Sequence, residues 1–346
     1  MRRHVRRRRK TPALLWLPLL SGVVAFVLPL LLVEYQRHPV ESGPEPPAVP
    51  VSQSEGKPLG QTGQTLMVPQ NDVAITVYFH EQGETRTVLL EQHLLGVLAA
   101  EIPDSFHLEA VKAQAVAARS YLLSKSGTGL HEGGADLCTD YTHCKAWLPE
   151  ARYAEKFGAG EEAARALYAT ALRETAGQVL VYEDTVAQTV FHAMSGGRTE
   201  SAVDVWGSEV PYLVSVPSGG EDQFDGYETT VDLSLSAYWE AMAPLNPDRE
   251  LAPMVVLRRS AGDAVLRCNV GGVETAGTEV RRLLGLRSTK FWVTLNGDGV
   301  QIRVRGYGHG VGMSQYGAQV MALEGAGYQD ILARYYPGCR LQQLDP

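Results

Sequence analysis

Four cysteines in 346 residues are too few for a disulfide-stapled scaffold, so the fold has to rest on a hydrophobic core. Acid is missing from residues 1–33, and from Ala13 to Val33 there is no charge of either sign. A cationic surface is missing as well. Beyond residue 33, 24 basic residues face 39 acidic ones, a net charge of −15. Phosphate contacts need clustered cations, so this balance argues against nucleic acid as a partner. No internal repeat is present, and an apolar content of 45% excludes disorder throughout, collagen and coiled coil.

What is there begins with Arg2, Arg3, Arg6, Arg7, Arg8, Arg9 and Lys10, directly before the uncharged stretch. Those 21 residues, at about 1.5 Å each, suffice to cross a hydrocarbon core of roughly 30 Å. Positive charge stays on the cytoplasmic side. The expected order is a basic cytoplasmic tail over 1–12, one transmembrane helix over 13–33, and everything after it outside the membrane. A cleaved signal peptide is the alternative, but the stretch exceeds its usual apolar core and no clear small-x-small cleavage site follows Val33. Residues 34–71 are rich in Pro, Gly, Ser and Gln and read as a flexible linker, with a reach on the order of 100 Å.

Over residues 72–346 the periodicities predict an α+β domain of mixed helices and antiparallel strands, and a two-lobed form with a central cleft is the further expectation. A strand pair is expected at Val73–Phe79 and Thr87–Leu90, then helices at Glu91–Ile102 and His107–Lys125. Arg152–Thr175 reads as one long helix. Strands are expected at Val179–Tyr182, Val186–Ala193, Tyr212–Val216, Met254–Arg258, Ala264–Val270, Phe291–Leu295 and Val300–Arg305, the last two joined through Asn296-Gly297-Asp298-Gly299. Ser314–Leu323 and Tyr328–Tyr335 close the chain as helices.

Four groups of residues can carry chemistry. Glu101 falls three, four and seven residues after Leu98, Val97 and Leu94, on the apolar stripe of its helix, and Pro103 ends that helix. A carboxyl held there is desolvated, its pKa rises, and it can act as a general acid on a glycosidic oxygen. The plain alternative is a last-turn glutamate facing water or paired with Lys112 or Arg119. His131, Cys138, His143 and Cys144 supply the ligand types of a tetrahedral zinc site; four protein ligands leave no open position, so the metal is structural. A Cys138–Cys144 disulfide is the alternative in an exported protein. In GYGHGVGMSQYGA, Gly306 to Ala318, four glycines surround His309 ahead of Ser314, Gln315 and Tyr316, and a fifth, Gly317, follows, which suits either a groove wall or tight turns leading into a Ser314-capped helix. FHAMSGGRTESAVDVWG, ending at Gly207, places Ser195, Gly196, Gly197, Glu200, Asp204 and Trp206 after a strand end. No Gly-x-Ser-x-Gly elbow supports a His192–Ser195 hydrolase pair.

LLGVLAAEIPDSFHLEAVKAQAVAARSYLL, FHAMSGGRTESAVDVWG, VPYLVSV and GYGHGVGMSQYGA, in that order between Leu94 and Gly338, resemble the stage II sporulation protein D family, also called the SpoIID/LytB domain family. The resemblance implies a lytic transglycosylase that degrades peptidoglycan glycan strands during engulfment. It implies that Glu101 is the catalytic glutamate and that His131, Cys138, His143 and Cys144 form a structural zinc set found in some members. Ser195, Gly196, Gly197, His309 and Gln315 map onto the family's cleft motifs as substrate-binding residues. It also implies cooperation with the amidase stage II sporulation protein P and the membrane protein stage II sporulation protein M. The LytB side of the family name implies a second reading, a non-catalytic wall-binding module that enhances an amidase. A zinc amidase or peptidase is a third, disfavoured by the closed ligand set.

Overall fold

The computed structural model describes residues 72–141, 143–246, 254–297 and 299–344. The basic tail, membrane span and linker expected over residues 1–71 lie outside these. Among the described residues no helix is long and apolar enough to cross a membrane.

β1 (Ala74–Phe79) and β2 (Glu84–Leu89) form an antiparallel hairpin that runs directly into α1 (Leu90–Glu101). The Asp72 carboxylate accepts the Glu91 N–H at 3.1 Å, satisfying one of the donors left free at the start of α1. At the other end Ile102, which precedes Pro103, is extended (φ −124°, ψ 138°), because proline disfavours helical backbone in the residue before it. α2 (Leu108–Ser124) is capped by His107, whose side chain accepts the Glu109 N–H. Ala110, Ala113, Ala115, Ala117 and Ala118 are all fully buried, and their small side chains let α1 and later helices close in around α2.

The two-residue strand β3 (Leu137–Cys138) adds to β1 in parallel. The helix expected over 152–175 is broken into α3 (Tyr153–Phe157) and α4 (Glu161–Glu174), because Gly158 takes φ +52°. β4 (Gln178–Tyr182) and β5 (Thr185–Val186) follow, then β6 (Phe191–His192), β7 (Gly197–Arg198) and α5 (Ala202–Trp206). The single strand expected at Val186–Ala193 is thus two short pieces, interrupted where Val190 N–H turns back to the Gln188 carbonyl. Tyr212–Val216 is not a strand. Its backbone groups are satisfied piecemeal instead of in a ladder: the Val216 and Leu213 carbonyls accept the Thr199 and Ala202 N–H groups, and Thr199 Oγ1 accepts the Val216 N–H.

The later chain gives β8 (Pro217–Ser218), β9 (Glu228–Ser234), α6 (Leu235–Met242), β10 (Val255–Arg259), β11 (Val265–Val270), β12 (Val273–Ala276) and α7 (Gly277–Leu283). It ends with β13 (Lys290–Asn296), β14 (Gly299–Arg305), β15 (Met313–Ser314), α8 (Gln315–Leu323), α9 (Tyr328–Tyr335) and β16 (Arg340–Gln343). The sheets are small and mostly antiparallel: β10-β11-β12, β13-β14-β9 and β16-β4-β5, with β6 and β15 pairing in parallel. Asn296 pairs with Gly299, so the expected hairpin is present.

Two separate hydrophobic clusters result. One centres on α1, α2, α4, α8 and α9, the other on β11, β13, β14 and α6. A buried ion pair ties the segments that flank them: Lys290 Nζ at the head of β13 lies 3.0 Å from Glu200, whose N–H bonds the Gly310 carbonyl at 2.7 Å.

Candidate active site

Glu101 is the last residue of α1, half-buried, and lines a pocket of about 250 Å³ with Ala100, Ile102, Pro103, Asp104, Lys156 and Phe157. Neither partner proposed for an ordinary surface glutamate is available to it. Lys112 pairs with Glu109 and Glu174, and Arg119 with Glu91. Glu101 Oε1 accepts the Ala146 N–H at 3.0 Å. Burial lifts its carboxyl above the usual carboxylate range, and the charges of Lys145 and Lys156 and the Ala146 N–H oppose that lift. Lys156 also caps the helix end, donating to the Ala99 and Ala100 carbonyls, while Gln315 Nε2 donates to the Glu101 carbonyl at 3.1 Å. The backbone that aims the acid is therefore held from two sides.

The segment facing Glu101 is the loop that carries the candidate metal ligands. It docks on α1 at three residues: Ala146 N–H reaches Glu101, the Trp147 ring stacks on His93 at 5.9 Å, and Trp147 and Leu148 meet Gly96. A side chain at Gly96 would meet the Trp147 indole nitrogen at 2.2 Å, so only glycine lets the ring lie against the helix, and Leu148 N–H bonds the Gly96 carbonyl at 3.0 Å. That contact brings Lys145 and Ala146 to Glu101. Lys145 Nζ sits 3.6 Å from the Phe191 ring centre and 4.7 Å from that of Tyr121. Burial pulls this ammonium down to about 8, against the opposite pull of Glu101 and Cys144.

The ligand atoms of His131, Cys138, His143 and Cys144 lie within 4.8 Å of one another. Cys144 Sγ is 3.3 Å from His131 Nε2 and 3.5 Å from His143 Nδ1, and Cys138 Sγ is 3.7 Å from His143 Nδ1. A tetrahedral ion with zinc's usual bond lengths sets sulfur–nitrogen edges at about 3.6 Å. The three contacts bracket that value, and both thiols are free. The donor set therefore fits such an ion.

The cleft motifs are placed differently from one another. Ser195 is buried: its hydroxyl donates to Glu221 at 2.7 Å, and the same carboxylate accepts the Ser195 N–H at 2.7 Å and the Gly196 N–H at 3.3 Å. Ser218 Oγ also donates to Glu221, and accepts from Tyr335 at 2.7 Å. His192 Nδ1 donates to the Val311 carbonyl, so the two residues form no hydrolytic pair. Gly197 is exposed, one residue beyond half-buried Gly196.

In the glycine-rich segment, Gly306, Gly308, Gly310 and Gly312 all have positive φ, between +72° and +108°. They approach the chain's own backbone: a Cβ at Gly306 would meet the Met194 carbonyl at 2.7 Å, and one at Gly312 the Val190 carbonyl at 2.1 Å. Ser314 caps α8 as expected, accepting the Gly317 N–H. His309 Nδ1 accepts the Val311 N–H at 3.1 Å, and burial, with the Lys145 and Arg281 charges, holds the ring neutral down to about 3. Its ring stands 5.6 Å from that of His192 and 5.3 Å from that of Trp206.

Sequence reasoning missed Lys145, Lys156 and Glu221. Glu221 lies in a Gly-Gly-Glu-Asp run that reads as a solvated turn, yet it is fully buried. Lys145, beside a cysteine, carries no periodic signal.

The family model for stage II sporulation protein (SpoIID) matches residues 78–182. The chain is 30% identical to "Stage II sporulation protein D" of Bacillus subtilis (strain 168) over 95% of either chain. It is 30% identical to the protein of that name from Bacillus amyloliquefaciens over 82% of this chain and 83% of the relative. It is also 27% identical to "Amidase enhancer" of Bacillus subtilis (strain 168), over 72% of this chain and 40% of that protein. The chain belongs to the stage II sporulation protein D family.

Proposed function

From that membership and the desolvated acid at the end of α1, we propose that the protein is a membrane-anchored lytic transglycosylase. It cleaves the bond between N-acetylmuramic acid and N-acetylglucosamine in peptidoglycan glycan strands during engulfment in sporulation. The proposed site is a cleft between the two lobes of residues 72–346, facing away from the cytoplasm. The observation that carries this reading is Glu101: a carboxyl pushed toward its protonated form in a pocket large enough for part of a sugar.

Protonated Glu101 gives its proton to the glycosidic oxygen as the C1–oxygen bond breaks. The muramyl C6 hydroxyl attacks C1, and its proton passes to the Glu101 carboxylate, leaving a 1,6-anhydro end and the original acid. No water is consumed. The Lys145 ammonium stabilises the carboxylate in between, and Gln315 and Lys156 keep its helix end in place. Ser195 acts through Glu221 by fixing the Gly196-Gly197 turn at the cleft edge. Asp104, the pocket's other carboxylate, is exposed. A hydrolase using it as base would release reducing ends instead.

A structural zinc held by His131, Cys138, His143 and Cys144 is part of the proposal; when bound it clamps the loop that brings Lys145 and Ala146 to the acid. The proposed partners are the amidase stage II sporulation protein P and the membrane protein stage II sporulation protein M. The amidase-enhancer relative favours a second reading, in which the protein binds wall glycan and stimulates an amidase without cutting. Glu101→Gln separates the two. It keeps the shape and removes the acid, so glycan cleavage should fall by at least about 100-fold. Undiminished cleavage, or an amidase stimulation that is the protein's sole effect, rejects the transglycosylase.

A further inference from the structure

Trp206 ends α5 with 48% of its surface exposed, and Val203, three residues earlier on the same helix face, is 51% exposed. The helix that presents them is fixed. Ser201 caps its start by accepting the Asp204 N–H, Ala202 N–H bonds the Leu213 carbonyl at 2.8 Å, and Gly207 closes the end at φ +78°. A large aromatic ring is thus held rigidly in water, although burying it would be favourable.

The ring also flanks His309 of the glycine-rich segment. It stands 5.3 Å from His309, and the Lys145 charge acts on His309 and on Glu101 alike. His309 offers Trp206 a neutral flank, with its Nδ1 already occupied by the Val311 N–H. The ligand this face suits is uncharged, with a flat apolar side for the indole and a small methyl group for Val203. Two apolar side chains are too few for a lipid surface.

Resting on the glycan reading above, we propose that Trp206 and Val203 form a saccharide subsite, the indole stacking on an N-acetylhexosamine ring and Val203 meeting its acetamido methyl. The glycan strand then continues from Glu101 past His309 onto α5.

The test titrates the full-length protein, carrying Glu101→Gln to prevent turnover, with a peptide-free N-acetylglucosamine tetramer while tryptophan emission is followed. The tetramer should bind saturably and shift the emission, and the shift should vanish in Trp206→Phe. Trp206→Ala should weaken binding about tenfold, equivalent to 1.4 kcal/mol, with Trp206→Phe in between. Equal affinity in Trp206→Ala, an emission shift that survives in Trp206→Phe, or no saturable binding overturns the subsite. So does a concentration-dependent dimer that Trp206→Ala abolishes, since it assigns the face to a second copy of the chain. If the unmutated protein cuts no glycan yet tetramer binding depends on Trp206, the transglycosylase fails and the subsite stands.

Discussion

Glu101 and Lys145 set each other's charge. Burial favours the neutral carboxyl, the adjacent ammonium favours the carboxylate, and the balance leaves the acid raised but still able to release its proton. Replacing Lys145 by Met removes a cation that lowers the Glu101 pKa, so that pKa rises further. Because the protonated acid starts the reaction, kcat/KM falls as pH rises through it. The falling limb of the pH profile should therefore move to higher pH in Lys145→Met; a limb that stays put or moves down shows that Lys145 does not act on the acid. The burial of Glu101 was legible from its spacing to Leu94, Val97 and Leu98. Lys145 was not, because its place depends on Phe191, Tyr121 and the Gly96–Trp147 contact, none of which is local to it.

At the scale of elements, α1 is the part on which the site depends, and two features fix it. One is the fully buried Arg119 of α2, which holds Glu91 through two donors, Nη2 at 2.8 Å, and reaches the Gln178 carbonyl of β4 at 3.1 Å. Arg119→Met strands the Glu91 carboxylate, and equilibrium unfolding should register a loss of about 3–5 kcal/mol. A loss below about 1 kcal/mol puts the pair among ordinary surface bridges. The other is the loop from Cys138 to Leu148. Protein prepared without chelator should contain about one zinc per chain, and Cys144→Ala should lose it. A metal-free chain with Cys138 crosslinked to Cys144 contradicts the site. α1, α2, α8 and α9 were readable in advance, as was the β13–β14 hairpin through its Asn-Gly-Asp-Gly turn, whereas α6 was not anticipated despite the stripe of Leu235, Tyr238, Trp239 and Met242. β9 was not: ETTVDLS has only Val231 and Leu233 to mark it, and its pairing with β14 is what makes it a strand. For the glycines from 306 to 312 the sequence leaves two readings, a groove wall or tight turns before a Ser314-capped helix, and the cap is present. These glycines make room for residues 190–200 of the same chain.

For the molecule as a whole, the α+β class followed from helices early and strands late, but two cores joined by the buried Glu200–Lys290 pair could not be read from composition. The Lys145 ammonium acts on both the acid of α1 and the His309 ring, and Trp206 stands 5.3 Å from that ring. A wall-binding module has no need of a desolvated acid; a transglycosylase does. The measurement that separates them is the mass of the fragments released from purified, peptide-free glycan strands by the full-length protein. Fragments ending in 1,6-anhydro-N-acetylmuramic acid, one water lighter than reducing ends and missing with Glu101→Gln, are the predicted result. Reducing ends, or strands left uncut, contradict it.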